Sequence, residues 1–351
     1  MRCFESRHRR NNERMLDNLR LRFATRASLI RLGILMGLAC AGLYWMTSMP
    51  GTTFSGSLSP LTETEGKLSN ELRRHVVTLS QEIGARSVQA SAGLDAARRY
   101  VETSLEGFDY VVKSQEFEVA GVVCANVEAE LPGLSRPSEI VIVGGHYDGY
   151  RMQPAANDNA TGTAAVLELA RLLRGHQPAR TLRFVAFVNE EPPYFKTSKM
   201  GSRVYAKRCS ERGEDVVAML SLETLGYYND VEGSQEYPAV IGWLYPSRGN
   251  FVGFVGNLSS RGLVRRAVST FRSNAHFPSE GAALPAFITG VDWSDHASFW
   301  KEGFPAAMVT DTAVFRYPHY HTHSDTADKI DFNRLARVVA GLVHVLADLS
   351  Q

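Results

Sequence analysis

Apolar residues in this chain recur with two periods. Leu68, Leu72, Val76, Val77 and Leu79 sit at helical spacing, and so do Ala96, Ala97, Tyr100 and Val101 within 94–105. Stretches 110–119 and 122–131 alternate as paired strands do, and Pro132-Gly133 closes the second. Residues 139–145, EIVIVGG, form a short β-branched run that reads as a buried strand. A helical stripe over 161–174 follows, then a strand at 182–188, a short helix at 202–208 and a strand at 216–222. The pattern continues with a helix at 259–272, a strand at 304–310 and a closing amphipathic helix at 333–349, striped by Leu335, Val338, Val339, Leu342, Leu346 and Leu349. Strands alternating with helices predict an α/β layer fold.

The N-terminal part follows other rules. Residues 32–46, LGILMGLACAGLYWM, carry no charge, and continuing to Met49 gives a length near the roughly 17–25 residues a spanning helix needs. Residues 1–31 hold nine arginines against Glu5, Glu13 and Asp17. This basic flank stays in the cytoplasm by the positive-inside rule, which puts the remainder in the periplasmic or extracellular space. A transmembrane signal anchor over 32–49 is the first expectation. A cleaved signal peptide, which would leave the protein secreted, is the second, and lipid attachment at Cys40 a third. A Gly/Ser/Thr/Pro-rich linker is expected over 50–66 and a globular catalytic domain over 67–351. With a formal net charge of +1 the chain has no nucleic-acid signature. Cys124 and Cys209 would form a disulfide only if the fold brought them together, and no CxxC pair offers a thiolate metal site.

The candidate chemistry sits where the strands stop. His146 and Asp148 end one run, Asp158 follows, Glu190 and Glu191 end the next, and Glu223 ends a third. Residues just past the carboxyl ends of such strands line the crevice of an open α/β sheet. Imidazoles and carboxylates together suit zinc. A two-metal hydrolase needs a bridging carboxylate, terminal ligands for each ion and a separate base. Asp158 fits the bridge, His146 and Glu223 one ion, Glu191 and His321 the other, and Glu190 the base. His319 and His323 flank His321 and are its competitors. Neighbouring side chains on a strand point to opposite faces, so Glu190 and Glu191 reach one pocket only if the strand has ended in a turn; Pro192-Pro193 fits that.

Six motifs, GGHYDGY (144–150), ANDNATG (156–162), NEEPP (189–193), SLETLGY (221–227), SDHASFWKEGFPA (294–306) and YHTHSDT (320–326), keep one order over residues 68 to 350. With them the chain resembles the co-catalytic zinc aminopeptidase and glutamate carboxypeptidase family, family 28 of peptidase clan MH. The resemblance implies a three-layer α/β/α fold around a mixed, mostly parallel sheet. It implies two zinc ions per chain, or one, and an aminopeptidase that acts on peptides. It implies that Asp148 orients His146, that Asp325 supports the site near His321, and that Tyr320 hydrogen-bonds the developing oxyanion. Asp295 and His296, in the SDH motif, are implied as pocket or supporting residues. Tyr194, Trp293 and Phe299 are candidates for a specificity pocket. Glu223 stands where the family usually has Asp, which affects the ion it would hold. Two other readings share the fold, a single-zinc acyltransferase of the glutaminyl cyclase type and a non-catalytic binding domain.

Overall fold

A computed structural model describes residues 28–238 and 241–351. The chain divides into two units, Met1–Ser48 and Met49–Gln351. In the first, helix α1 (Ser28–Thr47) is long and apolar enough to cross a membrane. The basic residues before Ser28 lie outside the described residues.

The second unit is built on an eight-stranded mixed sheet. Its strands are β1 (Val112–Val119), β2 (Val122–Leu131), β3 (Arg136–His146), β4 (Arg180–Phe187), β5 (Asp215–Glu223), β6 (Val252–Gly256), β7 (Ser279–Ala283) and β8 (Ala306–Thr310). They lie in the order β1-β2-β4-β3-β5-β8-β6-β7. The central run β4-β3-β5-β8 is parallel, and so is the pair β6 and β7, while β1 to β2, β2 to β4 and β6 to β8 are antiparallel. The expected mixed, mostly parallel sheet is therefore present.

Alternation along the strands assigns the faces. On β3, Val141 and Val143 enter the larger core, while Ile140 and Ile142 enter a second core on the opposite face. The larger core is closed by α2 (Glu63–Val77), α3 (Ser91–Gly107), α4 (Thr161–Leu173), α6 (Arg261–Asn274) and α8 (Phe332–Leu349). The smaller is closed by α5 (Gly201–Glu211) and α7 (His296–Lys301), through Tyr205, Ala206, Cys209 and Phe299. Both faces are thus covered, as a parallel sheet requires.

Three elements, β6, β7 and α7, have no counterpart in the hydrophobic pattern. Each is only five or six residues long, and β6 and β7 are rich in Gly and Ala. The expected linker is shorter than 50–66. Thr62 accepts from Glu65 N while the Glu65 side chain accepts from Thr62 N, and this reciprocal cap starts α2 at Glu63. Residues 49–62 are also fastened to the body. Arg272 donates to the carbonyls of Pro50 and Gly51, the Thr53 hydroxyl accepts from Ser279 N at 2.8 Å, and Arg337 donates to Ser59 O. Cys124 on β2 and Cys209 on α5 are both free thiols.

Candidate metal centre

The carboxyl ends of β3 and β5 and the turn after β4 converge on one acidic hollow. His146 Nε2 lies 3.5 Å from Asp158 Oδ1 and 3.4 Å from Glu223 Oε2. His321 Nε2 lies 3.0 Å from Asp158 Oδ2 and 3.1 Å from Glu191 Oε2. Two donor groups result, His146–Asp158–Glu223 and Asp158–Glu191–His321, each with its ligand atoms within 4.8 Å of one another, and Asp158 belongs to both. Among the described residues, His146 Nε2, His321 Nε2, Asp158 Oδ2 and Glu191 Oε1 are buried without a hydrogen-bond partner. Buried polar atoms are normally paired, so a convergent set that is not paired fits cation ligation. His319 and His323 join neither group, and His323 is exposed.

The turn after β4 explains how both glutamates face the hollow. The strand ends at Phe187 and Asn189 takes a left-handed φ of 59°. Asp148 then accepts from Glu190 N at 3.2 Å on Oδ1 and from Glu191 N at 3.3 Å on Oδ2. His146 Nδ1 bonds Asp148 O at 3.2 Å and lies 3.4 Å from Asp148 Oδ1, so this one residue orients the imidazole through its carbonyl and pins both glutamates through its carboxylate. Asp325 hydrogen-bonds the backbone around Asp158 and, among the described residues, makes no hydrogen bond to His321. It accepts from Asn157 N at 2.8 Å and Asp158 N at 3.1 Å, and Tyr317 donates to it at 2.8 Å. Glu223 accepts from Ser294 Oγ at 2.6 Å. His321 is stacked between Tyr150 and Tyr320, with ring centroids 4.1 and 4.0 Å away.

The expected supporting residues separate. His296 Nε2 bonds Val291 O at 2.8 Å, and burial pushes its imidazole down to about 4, so it is a neutral structural group. Among the described residues, the two Asp295 oxygens are buried without a hydrogen-bond partner, but they join neither donor group. Trp293 lines a cavity beside the hollow, Tyr194 packs against the larger core and Phe299 belongs to the smaller one.

Charge is distributed unevenly among the carboxyls. Burial raises the Glu190 carboxyl well above its ordinary range; His146 pulls it down, and Glu223 and Glu191 add to the rise. Burial would raise Asp158 too, yet the two imidazoles prevail and hold it below the carboxylate range. The two carboxyls are thus pushed in opposite directions, Asp158 toward the anion and Glu190 toward the protonated form. The adjoining cavity has a volume of about 430 Å³ and runs from Glu190, Glu191 and Tyr320 over the surface of β8, β6 and β7.

The model of peptidase family M28 matches residues 126–346. The chain belongs to peptidase family M28. The uncharacterized protein YfbL of Escherichia coli (strain K12) is 33% identical over 311 residues, 86% of this M28 chain and 91% of YfbL. A probable leucine aminopeptidase 1 of Trichophyton verrucosum is 29% identical over 63% of the chain; the match spans 58% of that protein, less than two thirds of its length. Two solved structures share the M28 fold. BSAP, a zinc aminopeptidase from Bacillus subtilis, has a TM-score of 0.65 at 16% identity, over 81% of this chain and 95% of that one. The glutaminyl cyclase of Fimbriiglobus ruber has a TM-score of 0.60 at 20% identity, over 86% and 99%.

One buried residue of this M28 site has no signal in the sequence. Arg86 is fully buried, yet its guanidinium meets backbone carbonyls rather than acids: Tyr147 O at 2.8 Å, Pro154 O at 2.5 Å and Ala155 O at 2.6 Å. It ties together the loop that leads from His146 to Asp158. An isolated arginine in a polar stretch carries no pattern that would single it out.

Proposed function

We propose that this chain is a two-zinc aminopeptidase, tethered to a membrane through α1 with its catalytic unit outside the cytoplasm. The observation that carries the reading is Asp158, shared by two complete donor groups with Glu190 beside them. His146, Asp158 and Glu223 would hold one zinc ion, and Asp158, Glu191 and His321 the other. Zinc bound there would act as a Lewis acid and make water nucleophilic at neutral pH. Glu190, whose Oε2 lies 3.9 Å from His146 Nε2, takes the proton of the attacking water and passes it to the leaving amine. The Tyr320 phenol is held well above its ordinary value by burial and by the surrounding carboxylates, so it stays protonated and donates to the oxyanion. Asp148 keeps the His146 ring and both glutamate backbones in place while the proton moves.

The test compares the full-length chain with Glu190→Gln on a panel of aminoacyl amides, with bound metal measured alongside. Turnover is expected to fall by about 10²–10⁴-fold with metal content unchanged. Retained turnover in the variant would remove Glu190 as the base. A wild-type chain that binds one zinc, hydrolyses nothing and cyclises an N-terminal Gln peptide would replace the peptidase reading with the cyclase one.

A further inference from the structure

The cavity beside the metal centre has a floor defined by strand register. Glu223 pairs with Thr310, Thr310 with Gly253, and Gly253 with Glu280, so these four residues form one row across β5, β8, β6 and β7. All four line the cavity. Three interstrand steps put the ends of the row about 14 Å apart. A zinc-ligand candidate, Glu223, stands at one end and a second carboxylate, Glu280, at the other. Between them the floor is low, because Gly253 has no side chain; a Cβ there would lie 3.4 Å from the Thr312 methyl. The walls are apolar, with Ile241, Phe251, Ile288 and Met308 among them.

Glu280 is badly provided for in these surroundings. Among the described residues its carboxylate accepts no hydrogen bond, and its cationic neighbour is Arg272 Nη2 at 3.5 Å. That guanidinium is already committed to Ser279 O at 2.7 Å and to Pro50 O and Gly51 O at 3.1 Å each. Burial raises the Glu280 carboxyl above its ordinary range and Arg272 only draws it back. A carboxylate in an apolar cavity is costly unless a donor or a cation satisfies it.

We propose that Glu280 is a specificity residue that selects peptides with an N-terminal arginine or lysine. The inference rests on the aminopeptidase reading. Unbranched stems of three or four methylenes suit a long apolar trough, and their charged heads seek an anion at its far end. Leucine-sized side chains fill the near part and leave Glu280 with Arg272 as its cationic neighbour.

The experiment uses the full-length metal-loaded protein, Glu280→Gln and Gly253→Val. Hydrolysis of arginyl, lysyl, methionyl and leucyl amides is measured, together with calorimetric binding of argininamide and methioninamide in the Glu190→Gln background, where they are not turned over. Wild type should prefer the basic substrates. Glu280→Gln should lower the arginyl-to-methionyl ratio of kcat/KM by about tenfold or more. Gly253→Val, which keeps Glu280 but obstructs the floor, should weaken argininamide binding. An unchanged ratio in Glu280→Gln, or a wild type that favours leucine over arginine, overturns the proposal. If no amide is hydrolysed, the aminopeptidase reading fails; tighter binding of argininamide that disappears in Glu280→Gln would then still support the pocket, and equal binding of both amides would overturn it.

Discussion

Asp158 stands between His146 and His321, with Oδ1 3.5 Å from one Nε2 and Oδ2 3.0 Å from the other. A carboxylate shared in this way couples two ligand groups. On the two-zinc reading, Asp158→Ala should therefore remove both metal ions, whereas His321→Ala should weaken one and leave His146–Asp158–Glu223 intact. Metal content after dialysis against a weak chelator checks this. Loss of a single ion in Asp158→Ala would show that the two groups bind independently.

Asp325 touches no proposed ligand side chain, yet it receives the backbone N–H groups of Asn157 and Asp158. Asp325→Asn puts an amide donor where an acceptor is needed and lets the bridge shift. Activity or metal affinity should fall by about 10–100-fold, the usual cost of losing a partner that holds a ligand in place. Titration with zinc in a competing chelator, beside kcat, separates the two effects.

Arg86 donates to the buried carbonyls of Tyr147 and Ala155 and to the partly buried one of Pro154. Arg86→Met strands several of them, and a stranded buried acceptor costs about 1–3 kcal/mol. The variant should lose about 3 kcal/mol of stability in urea titration and bind zinc more weakly, because the 147–155 loop loses its tie. Arg86→Lys should recover little, since one ammonium cannot span Tyr147 O and Ala155 O together.

Far from the site, buried Glu128 accepts from Tyr205 Oη and Arg208 Nη2, both at 2.6 Å. Burial would raise its carboxyl, but Tyr205, Arg183 and Arg208 outweigh it and hold the group below its ordinary 4.5. A carboxyl lowered by folding stabilises the protein fully above that ordinary value and loses the contribution as pH falls through the lowered one. Glu128→Gln should thus be less stable than wild type at pH 7, by about 1–3 kcal/mol. The gap should narrow below 4.5. Denaturation curves across that range test the sign.

Much of this arrangement could be read from the chain because its signals are strong and local. Long periodic elements such as α8 and the apolar runs of β3, β4 and β5 announce themselves, and each of these strands ends at the acids or imidazole that matter. The requirement that the chain turn before Glu190 is met by Asn189. The cavity was far less legible. Its floor uses β6 and β7, whose short Gly- and Ala-containing sequences lack a strand pattern, so nothing along the chain marks Glu280 as part of a cavity. The particular hydrogen bonds of Asp325 carry no signal in the sequence, because they run to backbone about 167 residues away. Tyr194 and Phe299 illustrate the reverse: aromatics near a motif that serve the core.

The strap over 49–62 bears on how the catalytic unit can be separated from α1. Met49 lies against Gly281, where any Cβ would come within 2.9 Å of it, and Thr53 occupies a backbone N–H of the edge strand β7. A soluble fragment beginning at Leu61 would strip that edge bare and invite strand-to-strand aggregation. It would also release Arg272 from the Pro50 and Gly51 carbonyls, free to swing onto Glu280 and blunt its choice of substrate. Cleavage just before Met49 spares both. If Glu280 selects the substrate as proposed, proteolytic shedding a dozen residues further along would yield an enzyme with a different diet, not merely a freely diffusing one.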